Sequence, residues 1–81
     1  MEEISEAIEV GVRFSRTRVS PAWFIWKNRK YPVDRVTYTW RDNRGEESIV
    51  FFNVTSGADL YQLAYYTKKL SWVLDKVYVE G

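Results

Sequence analysis

Ile8, Val10, Val12 and Phe14 alternate with Glu9, Gly11 and Arg13. Strict alternation places one set of side chains on one face, the signature of a half-buried strand. The pattern predicts a first strand over about 7–14, with the acidic residues 1–6 frayed before it. Ser15 to Pro21 breaks the alternation with arginines, hydroxyls and a proline, and reads as a connection. Ala22 to Trp26 is apolar on both faces. It is followed by Lys27-Asn28-Arg29-Lys30, where Asn28 suits a turn with positive φ, so a hairpin returning at Lys30 is predicted.

The next stretch changes phase. Tyr31 and Val33 are apolar at odd positions, Val36, Tyr38 and Trp40 at even ones. A straight strand cannot keep both sets on one face, and Pro32 lacks a ladder donor. We expect a bulge or bend near Pro32–Arg35, as a curling sheet needs. Asp42-Asn43-Arg44-Gly45 signals a turn, and Glu46 to Thr55 a strand apolar on both faces. Ser56 to Asp59 turns, Leu60 to Tyr66 is a strand, Thr67-Lys68-Lys69 turns, and Leu70 to Val79 closes the chain as a strand. The sum is all-β: an antiparallel six-stranded meander, curled into a small SH3-like barrel or a strongly bent sheet. Strands apolar on both faces leave outward apolar surface, so a homodimer is expected.

Composition bounds the chemistry. Eighty-one residues make one domain, 1–81, with a small core. Fourteen aromatic residues supply the apolar area, each able to bury roughly 150–250 Å². There is no cysteine and no histidine, which excludes disulfides, thiolate or imidazole zinc sites and histidine-based triads. The glycines are isolated, the carboxylates scattered, and Ser56 has no base at motif spacing. No catalytic residue, metal site or cofactor is therefore expected, and the chain does not read as an enzyme. No apolar run approaches the ~18–20 residues of a membrane span, and the acidic start is unlike a signal peptide. The expectation is a cytoplasmic chain without membrane contact.

Charge is unevenly placed. Residues 1–10 carry four acids and no base, whereas residues 11–44 carry nine bases and only Asp34 and Asp42 against them. Within that segment Arg16, Arg18, Lys27, Arg29, Lys30 and Arg35 interleave with Trp23, Phe24, Trp26 and Tyr31. Small β-barrels bind single-stranded DNA or RNA with such a combination, cations along the phosphates and rings against the bases. The six bases and Trp26 are the candidate nucleic-acid-binding residues. The same residues also fit a plainer role, with rings in the core and charges on solvated hairpin tips and edges, where they discourage aggregation. Exposed rings could instead hold a peptide by strand addition, or a sugar ring, and neither leaves a diagnostic signature in the sequence.

Pro21-x-x-Phe24-x-Trp26-x-x-Arg29-x-Tyr31-x-Val33, followed by Trp40, resembles a small bacterial all-β domain family of unknown function, with the pattern P-x-x-F-x-W-R-G-R-x-Y-x-V and a following strand that ends in Trp. Gly57-x-x-Leu60-Tyr61-x-Leu63 and Trp72 are similar to that family's closing hairpin, so the resemblance covers roughly 20–79. Asn28 stands where the family has glycine. Some members are appended to proteins similar to Y-family repair polymerases, which implies a DNA-associated or protein-docking role and transfers no catalytic residue. The expected function is a binding or assembly module touching single-stranded nucleic acid through the basic-aromatic hairpin. The alternative is a protein–protein interaction or homodimerisation domain with no nucleic-acid role.

Overall fold

A computed structural model describes residues 1–79. Seven strands form: β1 (Glu2–Ser15), β2 (Arg18–Trp26), β3 (Arg29–Pro32), β4 (Arg35–Arg44), β5 (Glu47–Ser56), β6 (Asp59–Tyr66) and β7 (Ser71–Tyr78). All pairings are antiparallel, in one sheet of order β3-β2-β1-β7-β6-β5-β4. The all-β antiparallel expectation holds, with seven strands rather than six and a bent sheet rather than a closed barrel. The sheet is two meanders, β1–β3 and β4–β7, joined where the first strand pairs with the last.

Turn chemistry sets the hairpins. Ser15 pairs with Arg18, Trp26 with Arg29, Arg44 with Glu47 and Ser56 with Asp59, so each loop has two residues. Both Lys27 and Asn28 have positive φ, the type I′ geometry that matches strand twist. Arg16, Gly45 and Gly57 have positive φ at the first loop position of the others. The connection expected over Ser15–Pro21 therefore shrinks to Arg16–Thr17. Ser15 and Arg18–Pro21 go into strands, because a two-residue turn leaves the flanking residues free to pair. Residues 1–6 are not frayed either: Glu2, Glu3 and Glu6 pair with Val77, Lys76 and Leu74. Ser5, with φ of 54°, sits in the irregularity between Glu3 and Glu6. Pro21 is paired with Val12 where the β1–β2 register shifts, a place that tolerates its missing donor.

The sheet's two edge strands, β3 and β4, are consecutive in sequence and separated only by Val33 and Asp34. The sheet must curl until those edges meet at that corner. There Val33 N–H donates to Ala22 O at 2.9 Å and Asp34 N–H to Thr55 O at 2.8 Å. Asp34 Oδ2 also accepts from Gly57 N–H at 2.9 Å, tying the corner to the β5–β6 turn. The curl brings β2 over β6: Phe24 and Tyr61 rings lie 5.1 Å apart, and Tyr31 and Tyr61 5.6 Å. Phe24, Phe52, Val54, Tyr61, Leu63, Leu74 and Val77 form the inner core, with Ile4, Ile8, Val10, Trp26, Val36 and Trp72 packed around them.

The phase change has two parts. The break at Val33–Asp34 lets Tyr31 of β3, Val33 of the link and Val36 of β4 all face the inner core. A second register shift, between Val36 and Tyr38, lies beyond the Pro32–Arg35 window. It moves Tyr38 and Trp40 to the outer face. There Trp40 stacks on Phe51 at 4.9 Å and 13°, and Ile49, Phe51 and Ala64 are buried as a second small cluster. Gly11 also serves the outer face. Trp23 lies across it, so closely that an added Cβ would stand within 3.0 Å of three indole atoms.

Candidate functional site: a cleft between two overhanging hairpins

Pairing between β1 and β7 ends at Ile8–Trp72, yet β1 continues to Ser15 paired only with β2. The β1–β2 hairpin therefore overhangs the sheet. β4 and β5 overhang from the other side, since β5 extends two residues past its last pairing with β6, Ile49–Tyr66. Between these arms lies an open cleft of about 870 Å³. Its floor is Val50, Phe52, Tyr65 and Trp72, with the Tyr65 and Trp72 rings 4.8 Å apart.

The walls carry the information. Thr17–Ser20 and Val36–Thr39 line the cleft as continuous runs. Neighbouring residues in a strand point to opposite faces, so a continuous run means that the strand's backbone edge faces the opening. β4 is an edge along its whole length. β2 is covered by β3 only over Trp23–Trp26, with the Val33 bond to Ala22 beyond it, so Arg18–Pro21 are uncovered on that side. The two edges meet at Val33–Asp34 and diverge from there, β2 back towards Arg18 and β4 forward towards Arg44. The cleft is thus a wedge with its apex at that corner.

Two apolar side chains of the β1–β2 arm have little to cover them: Phe14 is 75% exposed and Val19 45%, and both line the cleft. Tyr38 borders the cleft from the β4 edge, but its ring is on the outer face, stacked on Trp40 at 5.5 Å. Among the described residues the charged ones in its lining are Arg18 and Arg41, with no carboxylate beside them. Arg41 Nη1 donates to Ser48 Oγ at 3.3 Å, while Arg16 and Arg18 make no ion pair among the described residues. Hydroxyls of Thr17, Ser20, Thr37, Thr39 and Thr67 complete the lining. Thr39 and Thr67 donate to the carbonyls of Phe51 and Ser48.

The sequence-derived candidates divide between the two ends of β2. Arg16 and Arg18 stand at the β1–β2 tip, beside the cleft. Lys27, Arg29, Lys30 and Trp26 belong to the β2–β3 tip, about 25 Å away at ~3.3 Å per residue. There Trp26, Arg29 and Lys30, but not Lys27, line a second, smaller groove of about 580 Å³, shared with Ser56–Asp59, Tyr61 and Glu2. The cations of this tip lie over rings: Lys27 over Trp26 at 4.9 Å, Arg29 over Tyr31 at 5.4 Å and Lys30 over Trp23 at 4.7 Å. Trp26 Nε1–H donates to Glu6 at 3.1 Å. Tyr61, also in this groove, has its phenol pushed above the ordinary value of 10.0, by burial first and then by the charge of Asp59 and by Tyr31, with Arg29 opposing. Arg35 starts β4 beside the corner and belongs to neither tip.

Sequence reasoning missed the cleft residues of the other wall and floor. Arg41, Thr37, Thr39, Tyr65 and Trp72 are far from the basic hairpin in sequence, and only the curl brings them opposite it. Phe14 did carry a signal. It continues the alternation of strand one past the point where β7 can cover it. Among the described residues no group of three acidic side chains is placed to hold a metal ion. Among the described residues, too, no helix is long and apolar enough to cross a membrane. No family model matches the chain, and no curated protein or solved structure matches it.

Proposed function

We propose that this chain is a non-enzymatic interaction module that takes an extended segment of a protein partner into the cleft and adds it as a strand to the edge of β4. The observation that carries this reading is the pair of uncovered strand edges facing one aromatic-floored opening. An exposed ten-residue edge presents unpaired N–H and C=O groups, a template for another strand. Apolar side chains at alternate positions of the guest would cover Phe14, Val19 and the Phe52–Tyr65–Trp72 floor, removing exposed apolar area that a lone chain leaves wet.

The nucleic-acid alternative draws on the acid-free run from Val10 to Val33, which holds six bases. Those bases are split between two tips, and the rings nearest the second tip are already capped by its own cations. The cleft favours a peptide because its walls are backbone edges.

Amide hydrogen exchange separates the readings. With a cleft-binding peptide selected from a random library, protection should rise along Tyr38–Arg44, the free edge of β4. Unchanged exchange there with the peptide bound refutes strand addition. Salt-sensitive binding of a single-stranded oligonucleotide, with no peptide selected, would establish the nucleic-acid function instead.

A further inference from the structure

From the direction of the strands and the placement of charge, we infer that the segment held in the cleft is acidic at its N-terminal end and apolar at alternate positions after it. This rests on the strand-addition reading above.

Five antiparallel steps separate β2 from β4 in the sheet, so the two walls run in opposite directions. A guest strand between them can be antiparallel to only one. The uncovered part of β2 is Arg18–Pro21, and Pro21 has no N–H to offer. β4 offers a continuous free edge from Tyr38 to Arg44, beyond its irregularity. Antiparallel pairing is the more stable per residue, so the guest runs opposite to β4. Because β4 leads from apex to mouth, the guest's N-terminus lies at the mouth and its C-terminus at the Val33–Asp34 corner.

The charges are graded along this axis. Arg18 and Arg41 are four and seven residues from Ala22 and Asp34, the residues stapled at the apex, and so stand towards the mouth. Arg16 is at the adjoining tip. Asp42, next to Arg41 on β4, is outside the lining and paired with Arg44 at 3.6 Å, whereas towards the apex the lining is Ser20, Val36 and Thr37, none of them charged. Carboxylates are therefore favoured at the guest's N-terminal end and gain nothing at its C-terminal end. Between the ends, every second guest side chain faces Val50, Phe52, Tyr65 and Trp72, which demand apolar partners.

The test is selection of peptides from a random displayed library on the intact chain, followed by affinity measurements on the synthetic winners. Aspartate or glutamate should be enriched towards the N-terminal side of an alternating apolar run. The same composition in reversed order should bind about tenfold more weakly, and so should the winner with the double variant Arg18→Glu, Arg41→Glu, the scale of two charge contacts near a surface. Both substitutions are at exposed positions, and a thermal melt checks that the variant folds. Peptides that bind the cleft without acid enrichment, or with unchanged affinity for the double variant or in reversed order, would overturn the inference while leaving strand addition standing. Selection of no cleft-binding peptide would overturn both.

Discussion

Gly11→Ala tests whether the outer face depends on the close seat of Trp23. Gly11 lacks positive φ, so alanine's backbone preferences are compatible with the site. The difficulty is steric: a Cβ there would sit within 3.0 Å of Cε2, Nε1 and Cζ2 of Trp23. Those atoms belong to a rigid bicycle, so the indole must swing away as a unit. A tryptophan buries roughly 150–250 Å², and Trp23 is half-buried. Losing about 100 Å² of cover at ~25 cal/mol/Å² costs about 2.5 kcal/mol. Alanine returns about 0.5–1 kcal/mol relative to glycine within a strand. The net loss is about 1.5–2 kcal/mol, a fall in Tm of roughly 6–16 °C for a domain of this size. Thermal melts of a double-mutant cycle isolate the cause. In a Trp23→Ala background the clash is gone, and Gly11→Ala should become stabilising by about 0.5–1 kcal/mol. A Gly11→Ala variant that melts with the parent, or loses the same stability in both backgrounds, refutes the steric account.

Three further outcomes are expected. Asn53 Oδ1 is buried without a hydrogen-bond partner among the described residues, so Asn53→Val should raise stability by about 1 kcal/mol in chemical denaturation, and a loss would show that the oxygen is satisfied. Asp34→Ala removes the carboxylate that accepts from Gly57 N–H; it should cost about 1 kcal/mol and speed exchange of the Val33 and Asp34 amides, whereas an unchanged melt and exchange would show that the corner holds without it. Tyr61 has a raised folded pKa, so the folded state holds that proton more tightly than the unfolded chain. The stability it contributes is whole below about pH 10 and is lost as pH rises through the folded value. Alkaline melts should therefore show a steeper decline for the parent than for Tyr61→Phe, and parallel declines would remove Tyr61 as the cause.

Local chemistry was legible along the chain. Period-two alternation in Ile8–Phe14, the Lys27-Asn28 turn and the glycine at Gly45 depend on neighbouring residues alone, and they marked strands and hairpins where these occur. The odd-to-even change between Val33 and Val36 correctly announced a bend. Its second half was not legible. Tyr38 and Trp40 share parity with Val36, and only pairing with β5 shows the slipped register that turns them outward. Strand ends failed for the same reason. Whether Glu2–Glu6 or Arg18–Pro21 are strand depends on a partner strand, not on their own propensity.

The candidate site divides along that line. Arg16, Arg18, Lys27, Arg29, Lys30, Arg35 and Trp26 could be named from charge and aromatic interleaving, because those are properties of a stretch. That Arg18 and Arg41 border one cleft while Lys27 stands at the opposite end of β2 could not, because it depends on strand length, direction and curl. By itself the sequence determined an all-β, antiparallel, aromatic chain with a basic middle and a bend after Pro32, since alternation, turn residues and charge act locally. The tertiary structure alone decided that the sheet stays open, that two strand edges and a ring-lined floor face one cleft, and which cations guard it. Each of these requires residues distant in sequence to meet, and it is the two-residue link between opposite sheet edges that makes them do so.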